Sequence, residues 1–235
     1  PPEFPGQTVG NSALLLDGKS WLELSDASAF HFAPGDSISL EAWVRLSDLN
    51  DGQQVYVVGK GRTGRPGTMK ENQSWALRVR SMGGQCRISF LFRSANAPSV
   101  VGANGKETSP AYTGELHRWN SDLGFDADGQ WHHIAVTYTF GDKQGPLGWI
   151  DGQPTDGSFD MGGKTFSRAP YSDDDQVWVG SSMGGNPGSS FRGSLDGIVI
   201  HRRRITDTEI LQRTRSTRPT NVIPEVASSD IPSGA

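Results

Sequence analysis

The chain has 235 residues, and its 30 Gly and 14 Pro break it into short segments, a mix that suits many strands joined by turns and not a helical bundle. A net charge of −4 removes the electrostatic case for nucleic acid or an anionic membrane, and no apolar run approaches the roughly 18 residues of a spanning helix. Cys86 is the lone cysteine, which excludes an intramolecular disulfide and a Cys-rich zinc site.

Residues 1–10 are rich in Pro and Gly, lack periodicity and carry no charged-then-apolar leader, so they are expected to be a linker. ALLLD and WLEL follow as strand candidates around Asp17-Gly18, a dipeptide suited to a two-residue hairpin turn. SISLEAWVRL, Ser37 to Leu46, alternates with period two: Ile38, Leu40, Ala42, Val44 and Leu46 share one face, and Ser37, Ser39, Glu41, Trp43 and Arg45 the other. VYVVGK is the next candidate, followed by a polar stretch from Gly61 to Gln73. SWALRVR sets Trp75, Leu77 and Val79 against Ala76, Arg78 and Arg80. CRISFLF sets Cys86, Ile88, Phe90 and Phe92 against Arg87, Ser89 and Leu91. A second polar stretch, Ala95 to Asp128, has the length of a functional loop and not of a turn. WHHIAVTYTF then places His132, Ile134, Val136, Tyr138 and Phe140 together, and LGWIDG, QVWVG and SLDGIVIH complete the strand candidates. Thr206 and Glu209 have capping-box spacing and predict one short helix. Residues 217–235 again read as linker. The expected fold is therefore all-β, an antiparallel two-sheet jelly-roll sandwich over residues 11–216 with one short C-terminal helix, set in a longer chain with additional domains.

Four segments in order carry a family resemblance: ALLLDGKSWLEL, SISLEAWVRL, DGQWHHIAVTY with GWIDGQP, and FRGSLDGIVIHRRRITDTEI. Together they resemble the laminin-G-like jelly-roll family, the concanavalin-like sandwiches that also include pentraxins. One departure is that Gly197 follows Asp196 where the family usually has an acidic residue. The resemblance implies a secreted or extracytoplasmic binding module whose partner is a glycan or another extracellular protein or polymer. It also implies a structural Ca2+ held by Asp17 and Asp196 with the carbonyl of Gly18. The bland reading is that Asp17 only makes a turn and Asp196 only caps a strand hydrogen bond. Calcium needs six to eight oxygens, so two carboxylates would be a beginning and not a full cage.

Trp119, with Tyr112 and His117, is the candidate ligand-binding group, because a Trp in a polar stretch needs burial or a ligand to favour it. The alternative is that Trp119 folds back over the sandwich. Asp173, Asp174 and Asp175 are a second acidic run, and Arg202, Arg203 and Arg204 a basic one, both read as solvated surface. His132 and His133 are adjacent on a strand, so they face opposite ways and do not share an ion. One of them is expected to be buried and hydrogen-bonded, and the other exposed. Cys86 reads as a buried small hydrophobe. A glycoside hydrolase would need two facing carboxylates, and no strand carries two acids on one face. No Gly-x-Ser-x-Gly elbow occurs either. The expectation is a non-catalytic binding module. Its alternatives are a structural or protein-interaction spacer and, behind that, a divergent hydrolase.

Overall fold

A computed structural model describes residues 12–68, 71–95, 100–101, 107–108, 115–163 and 170–216. The chain begins with β1 (Leu14–Asp17), β2 (Leu22–Leu24), β3 (Ser37–Arg45), β4 (Gln54–Lys60), β5 (Trp75–Met82) and β6 (Gln85–Arg93). It continues through β7 (Val100–Val101), β8 (Glu107–Thr108), β9 (Leu116–Ser121), β10 (Trp131–Thr139) and β11 (Leu147–Ile150). It closes with β12 (Gln153–Thr155), β13 (Gly157–Met161), β14 (Val177–Val179), β15 (Arg192–His201) and the helix α1 (Asp207–Ser216). Two antiparallel sheets form the body. One has six strands in the order β1-β15-β3-β10-β11-β12, and the other has seven in the order β13-β9-β6-β5-β4-β14-β2. The strand candidates read from alternation all occur as strands, and the two-sheet architecture is the expected jelly-roll sandwich.

The core lies where the apolar halves of the alternating strands meet. Leu40 and Val44 from β3 and Ile134 and Val136 from β10 pack in one cluster with Leu77 of β5 and Phe90 of β6. Period-two alternation then sends the other half of each strand outward. Burying the apolar side chains supplies the main driving force, at roughly 25 cal/mol per Å² of apolar surface removed from water.

Two-residue turns set the local register. Asp151 and Gly152 both take positive φ, 52° and 80°, between β11 and β12, as Asp-Gly in such a hairpin should. Asp17-Gly18 behaves otherwise. β1 pairs with β15 in one sheet, while β2 pairs with β14 in the other, so the expected hairpin is a crossing between sheets. The helix follows its expected cap: Thr206 N–H donates to Glu209 Oε2 at 2.9 Å, and Glu209 N–H donates to Thr206 Oγ1 at 3.3 Å. α1 lies on the outer face of the six-stranded sheet, where Ile205 and Ile210 pack on Ala135 and Trp149.

The stretch read as a long polar loop contains a strand. β9 pairs with both β6 and β13, and its side chains alternate, with Trp119 inward and Arg118 and Asn120 outward. A polar His at the inward position 117 hides that alternation from a hydropathy reading.

Candidate functional site

The outer face of the seven-stranded sheet is built from the polar halves of β4, β5, β6 and β9. The register sets Tyr56 beside Arg78, Arg78 beside Ser89, and Ser89 beside Asn120. One row away lie Arg80 with Arg87 on one side, and Ala76, Leu91 and Arg118 on the other. At the far edge Trp178 of β14 stacks on Trp21 at 4.7 Å between ring centroids. This face is both charged and short of partners. Arg78 is 2% exposed, donates through Nη2 to Ser89 Oγ at 2.9 Å, and stands over the Tyr56 ring at 5.4 Å. Among the described residues no carboxylate meets it. Burial pushes its pKa down to about 10, so it is still a cation at neutral pH. Nε of Arg78, Arg80 and Arg87, Oε1 of Gln54 and Oδ1 of Asn120 are buried and find no hydrogen-bond partner among the described residues. Glu41 Oε2 and His132 Nε2, beside the six-stranded sheet, lack a hydrogen bond in the same way. The carboxylates present are shared. Asp160 accepts from Arg118 Nε at 2.7 Å and also from Arg80, and Glu71 pairs with Arg62 and Arg93. Burial pushes the Asp160 carboxyl up, but Arg118 and Arg80 outweigh it and hold the pKa at about 2.

Beside α1, the six-stranded sheet has a cleft of about 630 Å³ lined by Trp43, Trp131, Asp128, His132, Asp151 and Arg215 among others. Its carboxylates pair with His132, although His132 Nε2 makes no hydrogen bond. His132 Nδ1 lies 2.7 Å from Asp151 Oδ2, and Nε2 lies 3.6 Å from Asp128 Oδ1. Burial lowers the His132 pKa, yet Asp151 and Asp128 outweigh it and hold it above the ordinary value. The Asp128 and Asp151 carboxyls are both held below theirs. The indoles of Trp43 and Trp131 are buried, at 2% and 6% exposure. Beside the cleft, beneath α1, Glu41 is 2% exposed and accepts from His201 Nε2 and Arg213 Nη1, each at 2.9 Å, with His133 Nε2 at 3.3 Å. His133 is thus the buried histidine of the adjacent pair, whereas His132 is half-buried and engaged instead of exposed.

The sequence-predicted site residues fall elsewhere. Trp119 is a core residue, 1% exposed, with its ring against Gly148 and Gly157. A Cβ at Gly157 would lie 2.4 Å from that ring, so the glycine makes room for the indole. The expected ligand contact of Trp119 is therefore corrected to core packing. His117 is corrected likewise: it is 3% exposed, stacked on Phe92, with Nδ1 2.6 Å from the Gly163 carbonyl and Nε2 3.1 Å from Ser94 Oγ. Tyr112 lies outside the described residues. Asp17 and Asp196 do not share a site either. Asp17 pairs across β1/β15 with Arg192, and Asp196 is four residues further along β15, about 13 Å at the rise of a strand. Asp17 Oδ1 accepts from Lys19 N, Ser20 N and Ser20 Oγ, which holds its pKa at about 2 and closes a turn over Gly18. Asp196 Oδ1 accepts from Gly197 N at 2.7 Å. The residues do not fit the expected calcium cage, and no group of three or more His, Cys, Asp or Glu among the described residues is placed to hold a metal.

The two charge runs are structural. Asp175 is fully buried, accepts from Thr63 and Asn72, and gives its carbonyl to Lys60 Nζ. Arg202 covers Phe32 and donates to the carbonyls of Ser28, Ala29 and His31, while Arg203 pairs with Glu209 and Arg204 with Asp142. Cys86 is buried, and burial pushes its thiol up to about 11, as for an inert core residue. Reasoning from sequence missed the arginine face, although the alternation had already placed Arg78, Arg80, Arg87 and Ser89 on the polar sides of their strands.

The sandwich and its outward sheet faces define a jelly-roll module. A model of the concanavalin A-like lectin/glucanases superfamily matches residues 16–211, and the chain belongs to that superfamily. Among solved structures it is similar to the binding domain of Paraclostridial Mosquitocidal Protein 1, at 14% identity and a TM-score of 0.52 over 89% of this chain and 48% of that one. It is also similar to the SAP-like pentraxin of Limulus polyphemus, at 10% identity and a TM-score of 0.49 over 85% of this chain and 83% of that one. A third is domain 4 of an extracellular arabinanase from Geobacillus stearothermophilus in complex with arabinotriose, at 14% identity and a TM-score of 0.48 over 88% and 78%. At these identities the likeness is one of fold alone, and the chain spans about half the length of the mosquitocidal binding domain. No curated protein matches the sequence. No helix among the described residues is long and apolar enough to cross a membrane.

Proposed function

We propose that this chain is a non-catalytic module of a secreted or extracytoplasmic protein that binds a saccharide on the outer face of the seven-stranded sheet. The observation that carries this is the group of half-buried polar side chains on that face that solvent reaches, Gln54, Arg80, Arg87 and Arg118, with the Trp21–Trp178 stack at its edge. Saccharides present many hydroxyls, each able to accept and donate, and so match a surface of mixed donors and acceptors. The Trp21–Trp178 stack adds aromatic surface of the kind against which sugar C–H groups pack.

The non-catalytic reading is supported by the carboxyls. A hydrolase needs one of its two carboxyls protonated near neutral pH, with a raised pKa. In the cleft, where Asp128 and Asp151 flank His132, both are displaced downward, and so are Glu41 and Asp160.

The test is retention on a panel of neutral and acidic oligosaccharides, with the supernatant assayed for new reducing ends. Wild type should bind at least one class without releasing reducing ends, and Asn120→Ala, which removes an orphan acceptor, should weaken it. Binding to no member of a broad panel would remove the saccharide reading. Turnover that disappears in Asp128→Asn or Asp151→Asn would move the chain to the hydrolases.

A further inference from the structure

We infer that the cleft beside α1 is a separate binding site, one that takes a primary alkylammonium group, free or on a lysine side chain, against the carboxylates of Asp128 and Asp151 in competition with a proton on His132.

The cleft is open where its charges are. The Asp128 and Asp151 side chains are 49% and 43% exposed, so a ligand occupying the volume of about 630 Å³ reaches them directly. Small-ligand sites have volumes of roughly 300–1,000 Å³. Trp43 and Trp131 supply apolar lining from the sheet, and Gln130, Thr214 and Arg215 line the other sides. Local structure fixes both acids. Asp128 Oδ1 accepts from Gln130 N at 2.9 Å at the entry to β10. Asp151 Oδ1 accepts from His133 N at 2.8 Å, which holds the β11–β12 turn against β10.

The polar atoms at the centre are short of a donor. His132 Nδ1 lies 2.7 Å from Asp151 Oδ2, so the hydrogen of the neutral ring sits on Nδ1. Nε2 faces Asp128 Oδ1 at 3.6 Å, too far for a hydrogen bond. In the neutral ring the Nε2 lone pair therefore opposes a carboxylate, acceptor against acceptor. A proton on Nε2 relieves this. Burial lowers the His132 pKa, but Asp151 and Asp128 outweigh it and raise the pKa. A cation lodged against the two exposed carboxylates relieves it as well, without touching the buried Nε2. Proton and cation compete because each neutralises the same pair of charges.

The surrounding charges leave that pair to the ligand. The Gln130 N–H holds the Asp128 carboxyl below its usual range. Burial raises the Asp151 carboxyl, but His132 and the His133 N–H outweigh it, so both acids are anions at neutral pH. With His132 neutral, two carboxylates stand in the lining against Arg215. Glu41, His133, His201 and Arg213 pair with one another beneath α1, Arg45 donates to the Gly129 carbonyl, and Phe125 stacks on the His132 ring at 4.5 Å. An anion would meet the carboxylates and be repelled. A metal ion does not fit, since no group of three or more His, Cys, Asp or Glu among the described residues is placed to hold one. An ammonium group needs only acceptors for its three hydrogens.

The experiment is calorimetric titration of the full chain at pH 6 and pH 8 with putrescine, with Nα-acetyl-lysine amide and with neutral butane-1,4-diol. At least one ammonium probe should bind about fivefold or more tighter than the diol, and less tightly as salt is raised. The tighter of the two ammonium probes distinguishes a free amine from a lysine side chain. Affinity should be higher at pH 8, where His132 has lost its proton. By reciprocity, saturating putrescine should move the NMR titration midpoint of His132 to lower pH. Asp128→Asn, which keeps the oxygen that accepts from Gln130, should weaken the ammonium probe about threefold or more, and His132→Gln should bind with the same affinity at both pH values. Should the variants fail to fold, the His132 midpoint in the wild type carries the test. Equal binding of diol and ammonium probes, or ammonium binding that Asp128→Asn leaves unchanged, overturns the site, and so does binding of neither ammonium probe. Equal affinity at both pH values with an unmoved His132 midpoint overturns the competition. The saccharide reading concerns the other sheet and is decided by its own panel.

Discussion

On the outside of the six-stranded sheet, Glu41 is buried under α1 among His133, His201 and Arg213. On the outside of the seven-stranded sheet, Arg78 is buried among the hydroxyls of Ser89 and Tyr56, the Tyr56 ring and other arginines. Both groups are 2% exposed, yet one charge is compensated within the chain and the other is not. A compensated cluster holds elements together, here the helix on its sheet. An uncompensated one costs stability that a partner can return. The helix is held on the sheet whose buried charge is compensated, and the other sheet carries a buried cation that no carboxylate among the described residues meets.

This contrast can be broken by substitution. Glu41→Ala should cost about 3–5 kcal/mol, because it strands His133, His201 and Arg213 under the helix, and urea unfolding measures it. A loss below about 1 kcal/mol would mean that the cluster is not closed. Trp119→Ala should cost a similar amount, about 3–5 kcal/mol, as a core truncation does. Saccharide affinity measured well below its melting temperature should stay within about twofold of wild type, since Trp119 faces the core and affinity follows the face residues.

The acid side of the stability curve comes next. Burial raises the Glu41 pKa, but His133, His201 and Arg213 bring it from 4.5 to about 2. A carboxyl depressed in the folded state stabilises above its unfolded pKa, and that contribution is lost as pH falls toward the folded value. Unfolding free energy should therefore drop by up to about 3 kcal/mol between pH 4.5 and 2, and Glu41→Gln should flatten that part of the profile. Thr206→Ala, which removes the helix cap, should cost about 1 kcal/mol in the same urea measurement.

The smallest effect on stability is the most telling. Arg78→Met replaces an uncompensated buried cation by an apolar chain of similar reach, so its melting temperature without ligand should match or exceed that of wild type. A variant that melts well below wild type would show that Arg78 is compensated after all.

Much of the fold was legible because alternation is local. Ile38 to Leu46, Trp75 to Val79 and Cys86 to Phe92 each show in their own sequence which side chains face a core. The helix cap was legible for the same reason, since Thr206 and Glu209 are three residues apart. Trp119 was misread because its strand carries His117 at the inward position, and a polar residue there breaks the apolar rhythm. The pairing of Asp17 with Asp196 failed on register: the two strands are adjacent as expected, but their alignment sets Arg192 opposite Asp17.

The sequence by itself determined that this is a β-sandwich, which residues line its core, and that Arg78, Arg80 and Arg87 lie on the polar sides of their strands. Only the tertiary structure decided that Arg78 is buried with no carboxylate beside it among the described residues, while Arg80 pairs with Asp160 and Arg87 with the Ser121 carbonyl, because burial and compensation depend on neighbours brought from distant strands. Alternation is set by the backbone of one strand, whereas strand order, register and the pairing of charges are set by the whole packed chain.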